Sequence, residues 1–235
     1  MLAGTALGIP KTGGGLAASL RALRATRQAA VKARTQAANQ LRALLLDAPE
    51  DLHALRAQRD LARLAGRCAR LRPATGSIPV DLLKHALRNV ARRWLALDKE
   101  VTNLDELIAP LVSKSAAELL TRPGVGPDVA ATLLIAVGDN PDRLASERSF
   151  AALCGVSPLP ASSGKTQRYR LNRGGDRQAN RALHVVALSR MHHDSRTRAY
   201  VERRTKEGLS KREIMRCLKR YIARELFPLL LRSST

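Results

Sequence analysis

The sequence predicts a mainly α-helical protein. Long antiparallel coiled-coil helices are expected first, followed by a small helical domain with a helix-hairpin-helix-like motif and an irregular loop or short hairpin. Residues 16–46 and 79–111 repeat apolar side chains every three or four positions. Long helices with such a narrow apolar seam favour a coiled coil over a globular bundle. After residue 114 the sequence turns to glycine, proline and shorter apolar segments, which indicates a separate domain.

The first region is a predicted coiled-coil linker over residues 15–114, preceded by residues 1–14 as the remnant of an upstream domain or a flexible tail. Alanine, leucine, arginine and glutamine dominate residues 16–46, and neither Gly nor Pro interrupts them. A plain three-helix packing unit is an equally good interpretation of the same pattern. The expected helices span 16–46, 50–71 and 79–111, with breaks at 47–49 and 72–76.

The second region is a predicted domain over residues 115–235. It begins with a glycine turn at 121–128, and the helix that follows is expected to stop at Gly138. Residues 156–175 contain prolines, serines and glycines, which predict an irregular loop with one short hairpin. Further helices are expected over 140–153, 176–191, 194–206 and 211–227, the last opened by Ser210 and Glu213 as a capping box.

The excess of positive charge indicates what kind of molecule the protein binds. Forty-one Lys and Arg against twenty Asp and Glu give a formal net charge of +21. Residues 163–224 carry eighteen of these cations and only five acids. Such an excess favours a polyanion, most often nucleic acid, because each neutralised phosphate releases condensed counterions. An arginine-rich protein of ribosomal type is the alternative that charge alone leaves open.

Several other classes of site are disfavoured. The three cysteines, Cys68, Cys154 and Cys217, are too far apart for a paired-cysteine metal site and give no disulfide framework. His192-His193-Asp194 is interpreted as a solvated helix end, since consecutive histidines point to different sides of a helix. Gly164-Lys165-Thr166 lacks the upstream glycine of a P-loop. No metal site, export signal or membrane span is expected.

The turn at Gly124, Val125 and Gly126 is a candidate nucleic-acid contact. Flanked by helical segments and followed by Pro127, it resembles a helix-hairpin-helix, whose backbone amides face a phosphate without an intervening side chain. A glycine-rich connection that only packs against its neighbours is an equally good interpretation of these residues. The basic surroundings favour DNA contact.

A second candidate is a serine pair within a basic segment, Ser162 and Ser163. Cations around a serine hydroxyl stabilise both its alkoxide and the charge that develops on a phosphate under attack. Arginine forks bind phosphate oxygens in pairs. Taken alone, two serines before a glycine are more often turn formers. The cations that follow the serines as candidate phosphate ligands are Lys165, Arg168, Arg170, Arg173, Arg177 and Arg181.

The order of four motifs identifies a family resemblance. RPGVGP at 122–127, ALCGVSP at 152–158, ASSGKT at 161–166 and LNRGGDR at 171–177 are followed by a long basic helix. Jointly they resemble the C-terminal domain of insertion-sequence 110/116/902 transposases over about residues 115–231. The upstream helices resemble that family's coiled-coil linker.

The resemblance implies a serine nucleophile. In that family a serine of the C-terminal domain attacks a DNA phosphodiester, and the serine before the glycine, five residues after Pro158, is Ser163; Ser162 is the nearby runner-up. The resemblance further implies DNA and a structured bridge RNA as partners, and a homo-oligomer assembled through the coiled coil.

The family's acidic half has no counterpart in this sequence. A RuvC-like domain with four acidic residues holds divalent metal in family members, whereas here the first acid is Asp47. A truncated copy or a start codon assigned too late is therefore expected. Mg²⁺ belongs to the complete family enzyme, and autonomous catalysis is not expected. A cytoplasmic, nucleoid-associated bacterial protein is predicted. The alternative function is a non-catalytic nucleic-acid-binding or assembly module, in which Ser163 is a turn residue.

Overall fold

The computed structural model describes residues 15–46, 48–74, 79–138, 144–160, 169–170 and 172–232. Their Cα positions separate into two compact units, one of residues 23–107 and one that combines residues 108–232 with the described start of the chain up to Ala22. The predicted mainly α class is confirmed. The described elements are α1 Leu16–Leu46, a 3₁₀ turn Glu50–Leu52, α2 His53–Arg56, α3 Leu61–Ala69, α4 Pro79–Ser115, α5 Ala117–Leu120, α6 Pro127–Val137, α7 Glu147–Leu153, β1 Leu159–Pro160, β2 Tyr169–Arg170, α8 Arg177–His193, α9 Ser195–Lys206 and α10 Lys211–Arg232.

Helices α1 and α4 run antiparallel within the unit of residues 23–107. Arg27 Nε donates to Asp105 Oδ1 at 2.5 Å, and Arg93 Nη2 donates to Gln40 Oε1 at 2.7 Å. Residues later in α1 therefore contact residues earlier in α4. Between them Arg34 pairs with Asp98. The apolar seam behind these pairs buries leucine, alanine and tryptophan side chains. The order of these polar contacts thus shows that the two helices are antiparallel, while the coiled coil remains a prediction.

The helix predicted over 50–71 is wrong in its continuity, because the chain there forms two helical pieces. Asp60 lies between them and caps α3: its Oδ1 accepts from the amides of Ala62 at 2.9 Å and Arg63 at 3.1 Å. A short carboxylate competes with the helix for backbone amides, which starts a new helix rather than continuing the old one.

Other expected boundaries shift for reasons of burial and capping. The helix expected from residue 140 is wrong at its start: residues 144–146 are not helical, and α7 begins at Glu147 after Ser146 caps it. Helix α10 does not stop at Phe227 but continues through Pro228 to Arg232. Leu230 is fully buried in that extra turn. Burial of apolar surface therefore outweighs the hydrogen bond that proline removes.

The C-terminal unit places three long helices around the segment that carries the glycine motifs. Helix α8 begins at its cap Asp176 and α9 at its cap Asp194, within one residue of the expected starts. The capping box of α10 is confirmed, since Ser210 N donates to Glu213 Oε2 at 2.9 Å. The expected short hairpin is confirmed as well: Leu159 pairs with Arg170, and Pro160 with Tyr169.

Candidate nucleic-acid interface

Two glycine motifs of the sequence meet backbone to backbone. Gly155 has φ +63°, and a Cβ placed on it would lie 2.5 Å from the Gly174 carbonyl oxygen. Gly175 has φ +89°, and its Cβ would lie 2.5 Å from the Leu153 carbonyl oxygen. Both positions combine a left-handed backbone with a contact that leaves no room for a side chain. The two motifs therefore form one local unit beside the start of α8.

Asn180, in the first turns of α8, holds this unit to α10. Its Nδ2 donates to the carbonyl oxygens of Cys154 at 2.8 Å and Gly155 at 3.2 Å. Its Oδ1 accepts from Lys219 Nζ at 2.9 Å. Since the amide uses both ends, Asn180 fixes the position of a buried ammonium relative to the glycine unit.

A cavity of about 610 Å³ opens beside this arrangement. Its walls are the turn at 155–158, the described strand ends at Tyr169 and Arg170, the turn between α9 and α10, and one face of α10. Among its lining residues Glu213 is the only carboxylate. The lining cations are Arg170, Arg204, Arg216, Lys219 and Arg220.

Three of these cations already have carboxylate partners. Arg220 holds Glu147 in a two-pronged pair, with Nη2 to Oε1 at 2.7 Å, and this contact keeps the pKa of Glu147 below its usual range. Arg204 pairs with Glu207, and Arg216 lies 3.9 Å from Glu213. Within the described parts of the chain, no carboxylate forms an ion pair with Arg170 or Lys219.

Lys219 differs from the surface lysines in its burial and in its pKa. Its side chain is only 7% exposed. Burial, and then the positive charge of Arg216, lower its pKa. Burial and Lys219 likewise lower the pKa of His184 on α8, so that imidazole is neutral at pH 7. Burial raises the pKa of Cys154 to about 12, which keeps its thiol protonated and unsuited to attack.

The predicted serines and phosphate-binding cations fall into three groups by their location. Ser162, Ser163, Lys165 and Arg168 lie outside the described residues. Arg170 lies in β2 and lines the cavity. The remaining three arginines are exposed and do not line it: Arg173, Arg177 and Arg181. The structure therefore brings only Arg170 of the described candidates to the cavity.

The glycine turn at 124–126 has one packed side and one open side. Gly124 has φ +78°, and its Cβ would lie 3.1 Å from the Val186 carbonyl oxygen of α8. Val125 is buried, and its amide donates to the Arg122 carbonyl at 3.0 Å. By contrast, a Cβ on Gly126 would meet nothing within 4 Å. Packing against α8 thus accounts for Gly124 and Val125, while Gly126 faces open space at the start of α6.

Arg190 secures the same turn. Its Nε donates to the Pro123 carbonyl oxygen at 2.8 Å, and its two terminal nitrogens hold both oxygens of Glu225 at 2.7 and 3.0 Å. Through these three hydrogen bonds, the Arg190 guanidinium on α8 holds the glycine turn and Glu225 of α10 in place. The sequence showed Arg190 only as one cation among many.

The sequence did not single out several residues that matter at the cavity. They include Asn180, which binds Lys219 from α8, and the lining residues Arg204, Arg216, Lys219, Arg220 and Tyr221. The last three are consecutive on α10. The available signal was their density on one basic helix, but charge density does not say which side chains are buried. Among the described residues no group of three or more His, Cys, Asp or Glu is placed to hold a metal ion. No helix in the described ranges is sufficiently long and apolar to cross a membrane.

Comparison with known proteins assigns part of the C-terminal unit, including the cavity wall formed by residues 155–158, 169–170 and 172. Residues 116–202 match the family described as Transposase IS116/IS110/IS902. A 43.6 kDa protein of insertion element IS110 from Streptomyces coelicolor is 31% identical over 163 residues, which are 67% of this chain and 38% of that protein. A 42 kDa protein of insertion element IS900 from Mycobacterium paratuberculosis is 29% identical over 131 residues, 54% of this chain and 33% of that protein.

Residues 116–202 thus fall in the class of transposase domains. Through them this chain is a member of the IS116/IS110/IS902 transposase family, as the four sequence motifs predicted. The matches span 38% of the Streptomyces relative and 33% of the Mycobacterium relative.

Proposed function

We propose that this chain binds DNA and takes part in the cleavage and strand exchange of an insertion element, with Ser163 as the nucleophile and Ser162 as its runner-up. Family membership supports the transposase class. The observation that carries the proposal is the position of the described strand ends. Pro160 and Tyr169 are paired, and the chain between them contains Ser163. The second strand delivers Arg170 to the cationic cavity.

The chemistry needs a nucleophile, a stabilised phosphate and a leaving group. The Ser163 Oγ forms a bond to the DNA phosphorus while the bond from phosphorus to one deoxyribose oxygen breaks. The serine proton passes through solvent to the departing oxygen, which leaves as a hydroxyl. Attack of a DNA hydroxyl on the phosphoserine reverses these steps and joins a strand, so no bond energy must be supplied from outside.

The cations of the domain act as phosphate ligands in this proposal. Arg168, Arg170, Arg173 and Arg177 clamp the phosphate under attack, and Lys165 and Arg181 extend the basic surface. Among the described members, the exposure of Arg173 and Arg177 leaves them free to reach the DNA backbone. The open side of the turn at Gly126 is a second backbone contact, because the amides at the start of α6 face a phosphate there.

Membership in the transposase family supports further partners of this chain. A structured bridge RNA and a homo-oligomer formed through the helix pair belong to the proposal, as does a cytoplasmic, nucleoid-associated location. The described residues offer no cluster suited to Mg²⁺. The family resemblance implies that Mg²⁺ is held by the acidic RuvC-like domain of a complete family protein, and no step above passes through it.

The test is a covalent adduct. The chain is incubated with end-labelled DNA of the element's termini, Mg²⁺ and the RuvC-like domain of a complete family member supplied as a separate protein. Labelled protein is then resolved under denaturing conditions. Ser163→Ala is expected to abolish the adduct, while Ser162→Ala, the matched control, retains it. A Ser163→Ala protein that forms the adduct at the normal yield removes this serine from the role.

A second candidate function is a non-catalytic nucleic-acid-binding or assembly module. The antiparallel helix pair and the exposed arginines of α8 favour it, since both serve binding and assembly without chemistry. Steep salt dependence of DNA binding fits either function. Binding with no adduct under any of these conditions, in a protein that is folded by circular dichroism, favours the module.

A further inference from the structure

The cavity beside the hairpin combines aromatic faces with cations. The chain contains three tyrosines, and two of them, Tyr169 and Tyr221, line this cavity with 56% of their surface exposed. Exposed aromatic rings beside cations are the combination that holds single strands, since any base can stack on a ring while phosphates meet the charges. The two exposed tyrosines of the described fold thus line a concavity that also carries five cations.

Tyr221 has an aromatic neighbour that restricts its ring. The ring lies nearly perpendicular to that of Tyr200, with 5.9 Å between centroids. The guanidinium of Arg203 lies over Tyr200 on its own helix, 5.5 Å from the ring centroid. Tyr221 is still 56% exposed, so much of its surface is accessible to a base. A ring whose motion is already restricted loses less conformational freedom when a base stacks on it.

Lys219 supplies the second observation, because its charge is buried without a countercharge. Its ammonium has three donors, and one of them is satisfied by the neutral amide of Asn180 at 2.9 Å. No carboxylate pairs with it among the described residues. Buried charges are normally paired, so this ammonium is suited to an anion that enters the cavity. Arg170, likewise without a carboxylate partner in the described ranges, lines the same cavity.

We infer that this cavity binds one unpaired nucleotide of a nucleic-acid strand, with its phosphate against Lys219 and Arg170 and its base on the ring of Tyr221. A volume of about 610 Å³ lies in the range of small-molecule sites and can hold one nucleotide. A base that stacks on Tyr221 is removed from the base stack of a duplex. This inference rests on the proposed function for its substrate class, and it adds that the bound strand is unpaired at this point. The same nucleotide chemistry is offered by a displaced DNA strand and by a single-stranded RNA.

The experiment measures strand binding by fluorescence anisotropy with the full chain. Its probes are a labelled ten-nucleotide oligothymidylate, the matching oligouridylate and a ten-base-pair DNA duplex at one salt concentration. Tyr221→Leu is expected to weaken binding of a single strand at least tenfold and of the duplex less than twofold. Tyr221→Phe keeps the ring and is expected to bind normally. The tighter of the two single strands identifies the natural source.

Two further variants separate charge in the cavity from charge elsewhere. Arg170→Gln is expected to weaken single-strand binding at least fivefold, whereas Arg198→Gln, an exposed cation of α9 outside the cavity, weakens strand and duplex by the same small factor. Lys219→Met is expected to act like Arg170→Gln, with thermal unfolding confirming its fold. Since Arg170 is a surface residue, Arg170→Gln still tests whether cations of the cavity bind the single strand if the Lys219 variant does not fold.

The outcomes distinguish this inference from the proposed function. If Tyr221→Leu and Arg170→Gln weaken strand and duplex equally, or weaken neither, the nucleotide site is wrong whatever the adduct assay shows. If single-strand binding responds as expected but Ser163→Ala still forms the adduct, the nucleotide site stands and the serine assignment fails.

Discussion

The helix pair of residues 23–107 and the C-terminal unit use their basic side chains in different ways. In the pair, Arg27 and Arg34 are seven residues apart and meet Asp105 and Asp98, also seven apart, so each arginine is matched by an aspartate of the facing helix. In the C-terminal unit, Lys219 is buried against a neutral amide. These two arginines of the helix pair are therefore matched across facing helices, whereas the C-terminal unit combines ion pairs such as Arg220–Glu147 with a buried lysine that has no carboxylate partner among the described residues.

The backbone shows the same difference. Gly66, in the helical part of the first unit, has open space where a Cβ would lie. Gly155 and Gly175 of the C-terminal unit have neither the space nor an ordinary φ. A side chain is therefore tolerated at Gly66 of α3, whereas Gly155 and Gly175 depend on contacts that only glycine permits.

The largest expected effect tests that dependence. Gly175→Ala places a methyl group 2.5 Å from the Leu153 carbonyl oxygen and 2.7 Å from the Gly155 amide nitrogen, at φ +89°. We expect it to lower the free energy of unfolding by about 3 kcal/mol or more, because strain and steric overlap add. Gly66→Ala is the matched control and is expected to stabilise by about 1 kcal/mol. Urea unfolding of both variants measures the contrast, which equal effects would contradict.

A smaller effect is expected where the buried amide meets the buried ammonium. Asn180→Ala removes the bonds to the carbonyls of Cys154 and Gly155 and leaves Lys219 without its acceptor. We expect a loss of about 2–3 kcal/mol in unfolding free energy, because buried polar groups then lack partners. Combining it with Lys219→Met is expected to cost less than the sum of the two single changes, since one unpaired charge is then absent. Additive losses in this double-mutant cycle would show that the two residues act independently.

The smallest expected effect compares ion pairs of the two units. Arg220 lowers the pKa of Glu147 by hydrogen bonding and by its charge, so the folded state favours the carboxylate. The stabilisation is present above the unfolded pKa of about 4.3 and is lost as pH falls through the lower folded pKa. We expect Glu147→Gln to lower stability by about 1 kcal/mol at pH 7 and by less at pH 3.

Asp98→Asn provides the comparison from the helix pair. Its partner Arg34 and Asp98 itself are 30% and 40% exposed, so we expect a loss of about 0.5 kcal/mol that largely disappears in 1 M salt. Thermal unfolding at several pH values and salt concentrations measures both variants. A loss for Glu147→Gln that is the same at pH 3 as at pH 7 would show that the carboxylate charge is not what stabilises this contact.

Several features were accessible from sequence because they are local. The span Leu16–Leu46 of α1 and the starts of α8 and α9 follow from apolar spacing and from capping aspartates. The exceptions are instructive: Asp60 capped a new helix within a helical pattern, and Pro228 did not end α10. In both cases a specific hydrogen bond or buried leucines decided between two local preferences of similar strength.

The helical class, the excess of cations, the family motifs and the position of the candidate nucleophile Ser163 can be predicted from the sequence, because composition, periodicity and motif order are properties of the chain. Which cations of the basic helices are buried, paired or open to a ligand depends instead on how the helices pack. Asn180 and Lys219 are 39 residues apart and meet through helix packing. The charge of Lys219 is visible in the sequence, but its burial, its lack of a carboxylate partner among the described residues and its place in a cavity depend on what surrounds it.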